Sequence, residues 1–250
     1  MRDGPPRLRM FAGPNGSGKS TIKSVIRPEL LGIYINPDEL EKDIAHFDFL
    51  NLRDYDVETT AEETLSFFQS STLLARADLL DEAHALRFND GRLSFAHVGV
   101  NAYLASVAAD FLRQKLLERG ASFTFETVMS SPDKVEILRK AQLRGYRTYL
   151  YYVATEDPAI NISRVRHRVK MGGHPVPEDK IVSRYYRSLE LLSEAIRYTH
   201  RAYIFDNSGR ERLWIAEVID GASLELKTDS LPAWFEEAVW SKFQTPSASP

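Results

Sequence analysis

The chain contains no cysteine, which excludes disulfide bonds and thiolate metal sites and suits a reducing compartment. No apolar run approaches the roughly 20 residues that a bilayer-spanning helix needs. The opening Met1–Arg9 stretch is polar and lacks the apolar core of a secretory signal. Strong charge of either sign is absent too. With 32 basic and 35 acidic residues the net charge is −3, which leaves no global basic field for nucleic acid, although a local patch stays open. There is no internal repeat, and low complexity is confined to the last half-dozen residues. Together these absences point to a cytoplasmic protein without a membrane association.

What is present is ordinary in bulk and specific in one place. At 43% hydrophobic and 27% charged over 250 residues, the composition suits a globular protein large enough for one sizeable domain. The specific place is Gly13-Pro14-Asn15-Gly16-Ser17-Gly18-Lys19-Ser20, two glycines five apart followed by Lys and Ser. Glycines let a backbone wrap a phosphate without Cβ clashes, and the following helix adds positive charge at its N-terminus. Lys19 can reach the β- and γ-phosphates, and the Ser20 hydroxyl can ligate Mg²⁺. Leu8–Ala12 reads as the strand before the loop, and Thr21-Ile22-Lys23-Ser24-Val25-Ile26 as the helix after it. Strand, loop and helix thus occur in the order a phosphate loop requires, and Gly13, Pro14, Asn15, Gly16, Ser17, Gly18, Lys19, Ser20 and Thr21 are the expected nucleotide-binding residues.

Further along, Gly32–Asn36 reads as a second strand with Asp38 just past its carboxyl end, the edge at which open α/β sheets bind ligands. Asp38 suits either a base that takes a hydroxyl proton or a helix N-terminal carboxylate behind Pro37. Residues from about 45 to 119 read as helical, with a capping box at Thr60 and Glu63, a turn at Asn89-Asp90-Gly91 and a stop at Gly120. Some 70 residues between consecutive strands exceed an ordinary crossover, so residues 46–97 read as a helical insertion. Its acids (Asp54, Asp56, Glu58, Glu62 and Glu63) suit a solvated face, and His84 and His97 carry no assigned role.

Ala121–Thr127 reads as the third strand, with Glu126 and Thr127 at its ligand edge, and Tyr146–Val153 as the fourth. A helix opens at Pro132. A basic helix over Ala159–Lys170 places Arg164 and Arg168 on one face and Arg166 and Lys170 on another. Arginine against the γ-phosphate is a common device of phosphoryl transfer, and Gly172-Gly173 would let this helix swing as a lid. A basic surface helix is the alternative. Pro177–Tyr198 reads as one amphipathic helix, Ala202–Asp206 as a fifth strand ending at Asn207-Ser208, and Leu213–Val218 with Ser223–Leu226 as a hairpin before a short Trp234-bearing helix.

Gly13–Ser20, Asn36-Pro37-Asp38-Glu39, Phe125-Glu126-Thr127, the run Arg164–Pro177, Arg184-Tyr185-Tyr186-Arg187-Ser188-Leu189 and Asp206-Asn207-Ser208 together resemble the zeta-toxin-like P-loop kinases. The match is closest to the branch often described as predicted ABC-type ATPases, and it covers roughly 8–45 and 119–210, about half the chain. The resemblance implies an α/β fold of five parallel strands in the order 2-3-1-4-5, in one kinase domain over 1–250. The insertion at 46–97, a lid and following helix at 155–198 and a C-terminal extension at 211–250 belong to that domain.

The same resemblance implies ATP (or GTP) and Mg²⁺-dependent phosphorylation of a hydroxyl on a small acceptor, which in characterised zeta toxins is a UDP-linked N-acetylglucosamine. It makes Asp38 the base, Lys19 the loop lysine, Arg164 and Arg168 the lid arginines, and Glu126 and Thr127 part of the acceptor pocket. An antitoxin is the implied protein partner. Asn207 falls near the adenine in such a fold, or simply forms a turn. Two other readings stay open: a kinase acting on a nucleic-acid or tRNA hydroxyl, and a nucleotide-dependent switch with slow ATP hydrolysis. The 46–97 insertion and the Gly172–Pro177 spacing depart from the characterised toxins.

Overall fold

A computed structural model describes residues 4–23 and 26–244. Ser24 and Val25 of the predicted post-loop helix, Met1–Asp3 of the polar opening and the low-complexity residues 245–250 lie outside the described residues.

The strands, in chain order, are β1 (Arg7–Ala12), β2 (Ile33–Ile35), β3 (Phe49–Asn51), β4 (Arg87–Asn89), β5 (Arg92–Ser94), β6 (Phe123–Thr127), β7 (Arg147–Ala154), β8 (Arg201–Asp206), β9 (Leu213–Ile219) and β10 (Ser223–Leu226). The helices begin with α1 (Lys19–Ile22), α2 (Pro28–Leu31), α3 (Pro37–Phe47), α4 (Ala61–Gln69), α5 (Thr72–Arg76) and α6 (Leu80–Ala85). They continue with α7 (Ala102–Arg119), α8 (Asp133–Leu143), α9 (Pro158–Lys170), α10 (Glu178–Glu190) and α11 (Leu192–Arg197). A last helical stretch over 233–244 contains a π turn at Glu236–Trp240. The chain divides into two compact units, one of residues 1–31 and 126–250, the other of residues 32–125.

In the first unit β1, β7 and β8 pair in parallel, and β9 and β10 extend the sheet antiparallel beyond β8. Their order is β10-β9-β8-β7-β1. One face is apolar and covered: Leu8, Met10, Leu150, Tyr152, Ala202 and Ile204 are all fully buried. Alternating Tyr149, Tyr151 and Tyr203 on the opposite face are half-buried, which is the period of two that identified these strands in the sequence.

The second unit contains the parallel pair β2 and β6 and a separate three-stranded sheet. Numbering only the parallel strands in chain order, the first unit supplies 1-4-5 and the second 2-3, the two halves of the expected order. The helix α3 starts on an Asn36 cap whose side chain accepts from the Asp38 N–H at 2.9 Å, with Pro37 in the first turn, and it packs against α7. Ten of the 18 residues of α7 are buried, among them Leu104, Phe111, Leu112 and Leu116. It is capped by Asn101 and ended by Gly120.

Three features depart from the sequence reading. The insertion is not purely helical, because β3, β5 and β4 form an antiparallel sheet. Asp90 and Gly91, at φ 49° and 77°, make the tight hairpin turn between two strands of three residues, and Leu50, Leu93 and Phe88 share one face of the sheet. Runs that short are too brief for a period-two signal to stand out from helix. The predicted helix over 177–198 is two helices broken at Leu191. The C-terminal hairpin is also no appendage but part of the main sheet.

At the end of β8 the Asp206 carboxylate, 7% exposed, accepts from the Ser208 N–H, the Ser208 hydroxyl and the Trp234 indole N–H, each at 2.8 Å. Losing this acceptor strands one buried donor and two part-buried ones. Asp206→Ala should therefore destabilise the protein by about 2–3 kcal/mol, lowering the melting temperature by roughly 5–10 °C for a chain of this size. A melt superimposable on wild type would show that the carboxylate is not what holds the C-terminal helix.

Candidate functional site

The phosphate loop leaves the end of β1 and enters α1 in the first unit. Gly13 adopts φ 140°, and a Cβ there would lie 2.0 Å from the Val153 carbonyl oxygen of β7. No other residue fits that crossing. Ser17 is fully buried, and its hydroxyl has no hydrogen-bond partner among the described residues. The Asn15 side-chain oxygen is in the same position.

Lys19 arches back across the loop, with Nζ at 2.8 Å from the Gly13 carbonyl and 3.0 Å from that of Pro14. The Ser20 hydroxyl donates to the Glu126 carboxylate at 3.2 Å. Glu126 stands near the carboxyl end of β6 and is 5% exposed. A serine hydroxyl beside a buried carboxylate is an oxygen set of the hardness Mg²⁺ prefers, so Ser20 and Glu126 fit that ion. The Thr21 hydroxyl turns back onto the Gly18 carbonyl at 2.7 Å. Thr127 is committed to its own turn: its hydroxyl accepts from the Met129 N–H at 3.0 Å, where Met129 takes φ 54°, an uncommon conformation for a residue with a Cβ.

The basic helix α9 begins on an Asp157 cap with Pro158 in its first turn. Arg164 Nη1 is buried and has no partner among the described residues. Arg166 pairs with Glu178 at 2.5 Å, which joins α9 to α10. Arg168 is exposed, its stem close to Gly173. Lys19, Ser20, Glu126 and Asn207 thus converge on the loop. Asp38 lies in the second unit, exposed in the first turn of α3. The acids Asp54, Asp56, Glu58, Glu62 and Glu63 are all exposed. Among the described residues no group of three or more His, Asp or Glu is arranged to hold a metal ion, and no helix is long and apolar enough to cross a membrane.

Several residues that hold the site were not singled out in the sequence. Asn161 is fully buried in the first turns of α9, and its Nδ2 donates to the Asn15 carbonyl at 2.6 Å. Its Oδ1 accepts from the buried Thr155 hydroxyl, and Tyr185 OH donates to the Thr155 carbonyl at 2.6 Å. An asparagine inside a helix, where its propensity is poor, was the one available signal. Asn207, which the sequence did single out, donates its Nδ2 to the Ser17 carbonyl at 2.7 Å, so its side chain supports the loop. Ser188 donates to the Val128 carbonyl at 2.8 Å and lies 3.0 Å from Tyr152 OH, which is therefore the donor to it. Burial pushes the Tyr152 and Tyr185 phenols above their ordinary range, which keeps both as neutral donors.

Residues 100–218, a little under half of the chain, match the family model described as Zeta toxin. That span includes Glu126, Arg164, Arg168 and Asn207 but starts after the phosphate loop. An uncharacterized protein from Haemophilus influenzae is 29% identical over 69 residues, 28% of this chain and 49% of that protein. Among solved structures, AvrRxo1-ORF1:ORF2 with ATP aligns at TM-score 0.56 and 14% identity, covering 99% of this chain and 66% of that one. A structure from the PezAT chromosomal toxin–antitoxin system of Streptococcus pneumoniae aligns at TM-score 0.53 and 16% identity, covering 94% and 79%. The chain therefore spans about half of the Haemophilus protein and about two thirds of the AvrRxo1 structure. The matched span is similar to the Zeta toxin family, and the chain shares with these structures an α/β fold built on a mainly parallel sheet.

Proposed function

We propose that the protein is a nucleotide-dependent phosphotransferase that moves the γ-phosphoryl group of ATP to a hydroxyl of a small acceptor. The observation that carries this reading is the loop itself, with Lys19 folded over it and Ser20 bonded to Glu126. A motif match alone predicts residue types; the cation folded over the loop and the oxygen pair beside it add support to the reading. Support for ATP comes from the ATP-bound AvrRxo1 structure of similar fold. A UDP-linked N-acetylglucosamine or a related sugar nucleotide is the acceptor we favour, because residues 100–218 match the Zeta toxin family. The toxin–antitoxin setting of the Streptococcus relative supports an antitoxin as partner, and an ATP-dependent enzyme without cysteine suits the cytoplasm.

In this reading Asp38 takes the proton from the acceptor hydroxyl, whose oxygen attacks the γ-phosphorus as ADP leaves. Lys19 and Arg164 offset the charge that moves toward the leaving oxygen, and Arg168 assists from the next turn of α9. Ser20 and Glu126 would hold Mg²⁺, which would supply electrostatic stabilisation of the phosphate oxygens. Thr127, whose hydroxyl serves a backbone turn, shapes the acceptor side through that turn.

Incubation with labelled ATP, Mg²⁺ and a panel of UDP-sugars, nucleosides and RNA should place label on one acceptor. Lys19→Ala should remove that label; label released only as free phosphate, even with cell extract as acceptor pool, would favour a switch instead. Asp38→Asn should reduce kcat by about 10²–10⁴-fold while leaving the Kd for ATP within about twofold of wild type. An equal loss of ATP affinity would count against Asp38 as the base. Glu126→Gln should raise the Mg²⁺ concentration needed for half-maximal activity by about tenfold or more. An unchanged Mg²⁺ titration would take Glu126 out of the metal site.

A further inference from the structure

The reading above treats α9 as a basic helix free to swing on Gly172-Gly173. The contacts at its other end argue for something different. Asn161 stands at the start of α9 with no solvent exposure, and both polar atoms of its side chain are committed. The donor goes to the Asn15 carbonyl of the phosphate loop, and the acceptor takes the Thr155 hydroxyl from the end of β7. The backbones are as close as the side chains: a Cβ on Gly16, which has φ 76°, would lie 2.6 Å from the Asn161 carbonyl oxygen. Behind this contact Tyr185 of α10 fixes the Thr155 carbonyl. Loop, strand end, α9 and α10 are therefore joined by one continuous run of hydrogen bonds, most of it buried.

Two consequences follow from elementary geometry. All described peptide bonds are trans, so a carbonyl and the N–H of the next residue point in opposite directions. With the Asn15 carbonyl turned onto Asn161, the Gly16 N–H points away from α9. Asn207 does the same to the Ser17–Gly18 peptide. In addition, Asn161 and Arg164 are three residues apart on one helix and so share a face. The contact that aims the Gly16 N–H also fixes how far Arg164 stands from the loop.

We propose that Asn161 is a positioning residue that clamps α9 to the phosphate loop, so that the orientation of the loop amides and the placement of Arg164 are set together. The helix is then a fixed arm, and nucleotide affinity depends on a side chain that does not touch the nucleotide. This inference rests on the loop binding ATP, and it holds for any acceptor and for the hydrolytic switch alike.

The test is ATP binding measured by calorimetry on the full chain, with turnover and melting temperature followed in parallel. Asn161→Asp keeps the shape and the acceptor for Thr155 but replaces the donor to Asn15 with an oxygen. It should raise the Kd for ATP by about tenfold or more, as loss of one part-buried bond and the carboxylate–carbonyl repulsion put in its place do, and lower kcat as well. Thr155→Val should weaken ATP binding in the same direction, and Thr155→Ser, which keeps the hydroxyl, should restore wild-type affinity. Ser193→Ala is the matched control, since it removes a buried side chain bond to the Ala238 carbonyl at 2.5 Å away from the loop. It should lower the melting temperature without changing the Kd.

Wild-type affinity in Asn161→Asp would overturn the clamp while leaving the phosphotransferase reading intact. Equal affinity losses in Asn161→Asp and Ser193→Ala would overturn it too, by reducing it to general destabilisation. A wild-type protein that binds no ATP would overturn the functional reading and the clamp together.

Discussion

A phosphate loop must be held from behind, because it has almost no structure of its own. The loop in this protein contributes one backbone hydrogen bond within itself, Ser17 N–H to the Pro14 carbonyl at 3.2 Å, and it closes onto Gly18 at the start of α1. Apart from Lys19, the groups that shape it come from outside. Val153 of β7 leaves room only for glycine at position 13, Asn161 and Asn207 take the carbonyls of Asn15 and Ser17, and Lys19 takes those of Gly13 and Pro14. Buried polar groups have to be partnered, and this protein partners the loop carbonyls with amide side chains carried on rigid elements. The register of β1 against β7 and of β7 against β8 brings Val153, Thr155 and Asn207 to one edge.

The parts of this arrangement that were legible in the sequence are those with local grammar. The glycines, Lys19 and Ser20 follow a fixed spacing, and the strands with Tyr149, Tyr151 and Tyr203 alternate cleanly. The cap at Thr60, the helix start at Pro37 and the stop at Gly120 lie where their residue types predict. The capping box was only half present, however. Thr60 accepts from the Glu63 N–H at 3.2 Å, but the Glu63 carboxylate turns to Thr59 and Lys115 rather than back to the cap. A distant lysine outcompeted the local bond.

What stayed illegible was non-local. Nothing near Asn161 in sequence mentions Asn15, 146 positions away, and nothing near Ser20 mentions Glu126. The carboxylate that meets Ser20 lies near the end of the aromatic-alternating strand Phe123–Thr127, where the sequence suggested the acceptor pocket and not a partner for the loop serine. The short strands of the insertion failed for a different reason. Three residues carry too little periodicity to read, and their pairing is set by the Asp90-Gly91 turn and by the Leu50, Leu93 and Phe88 contacts that only the fold brings together.

The hairpin formed by β9 and β10 has a bearing on how the protein behaves at high concentration. Without it, β8 would end the sheet with a six-residue row of open backbone donors and acceptors immediately below Asn207. With it, that row is paired and the sheet ends instead on the four-residue β10, whose Glu225 is exposed and bonds Lys227 just beyond the strand at 2.5 Å. A short edge carrying charge is a poor template for adding another strand. The hairpin thus acts as a colloidal safeguard, keeping the side of the sheet next to the nucleotide loop from becoming a place where molecules stack edge to edge.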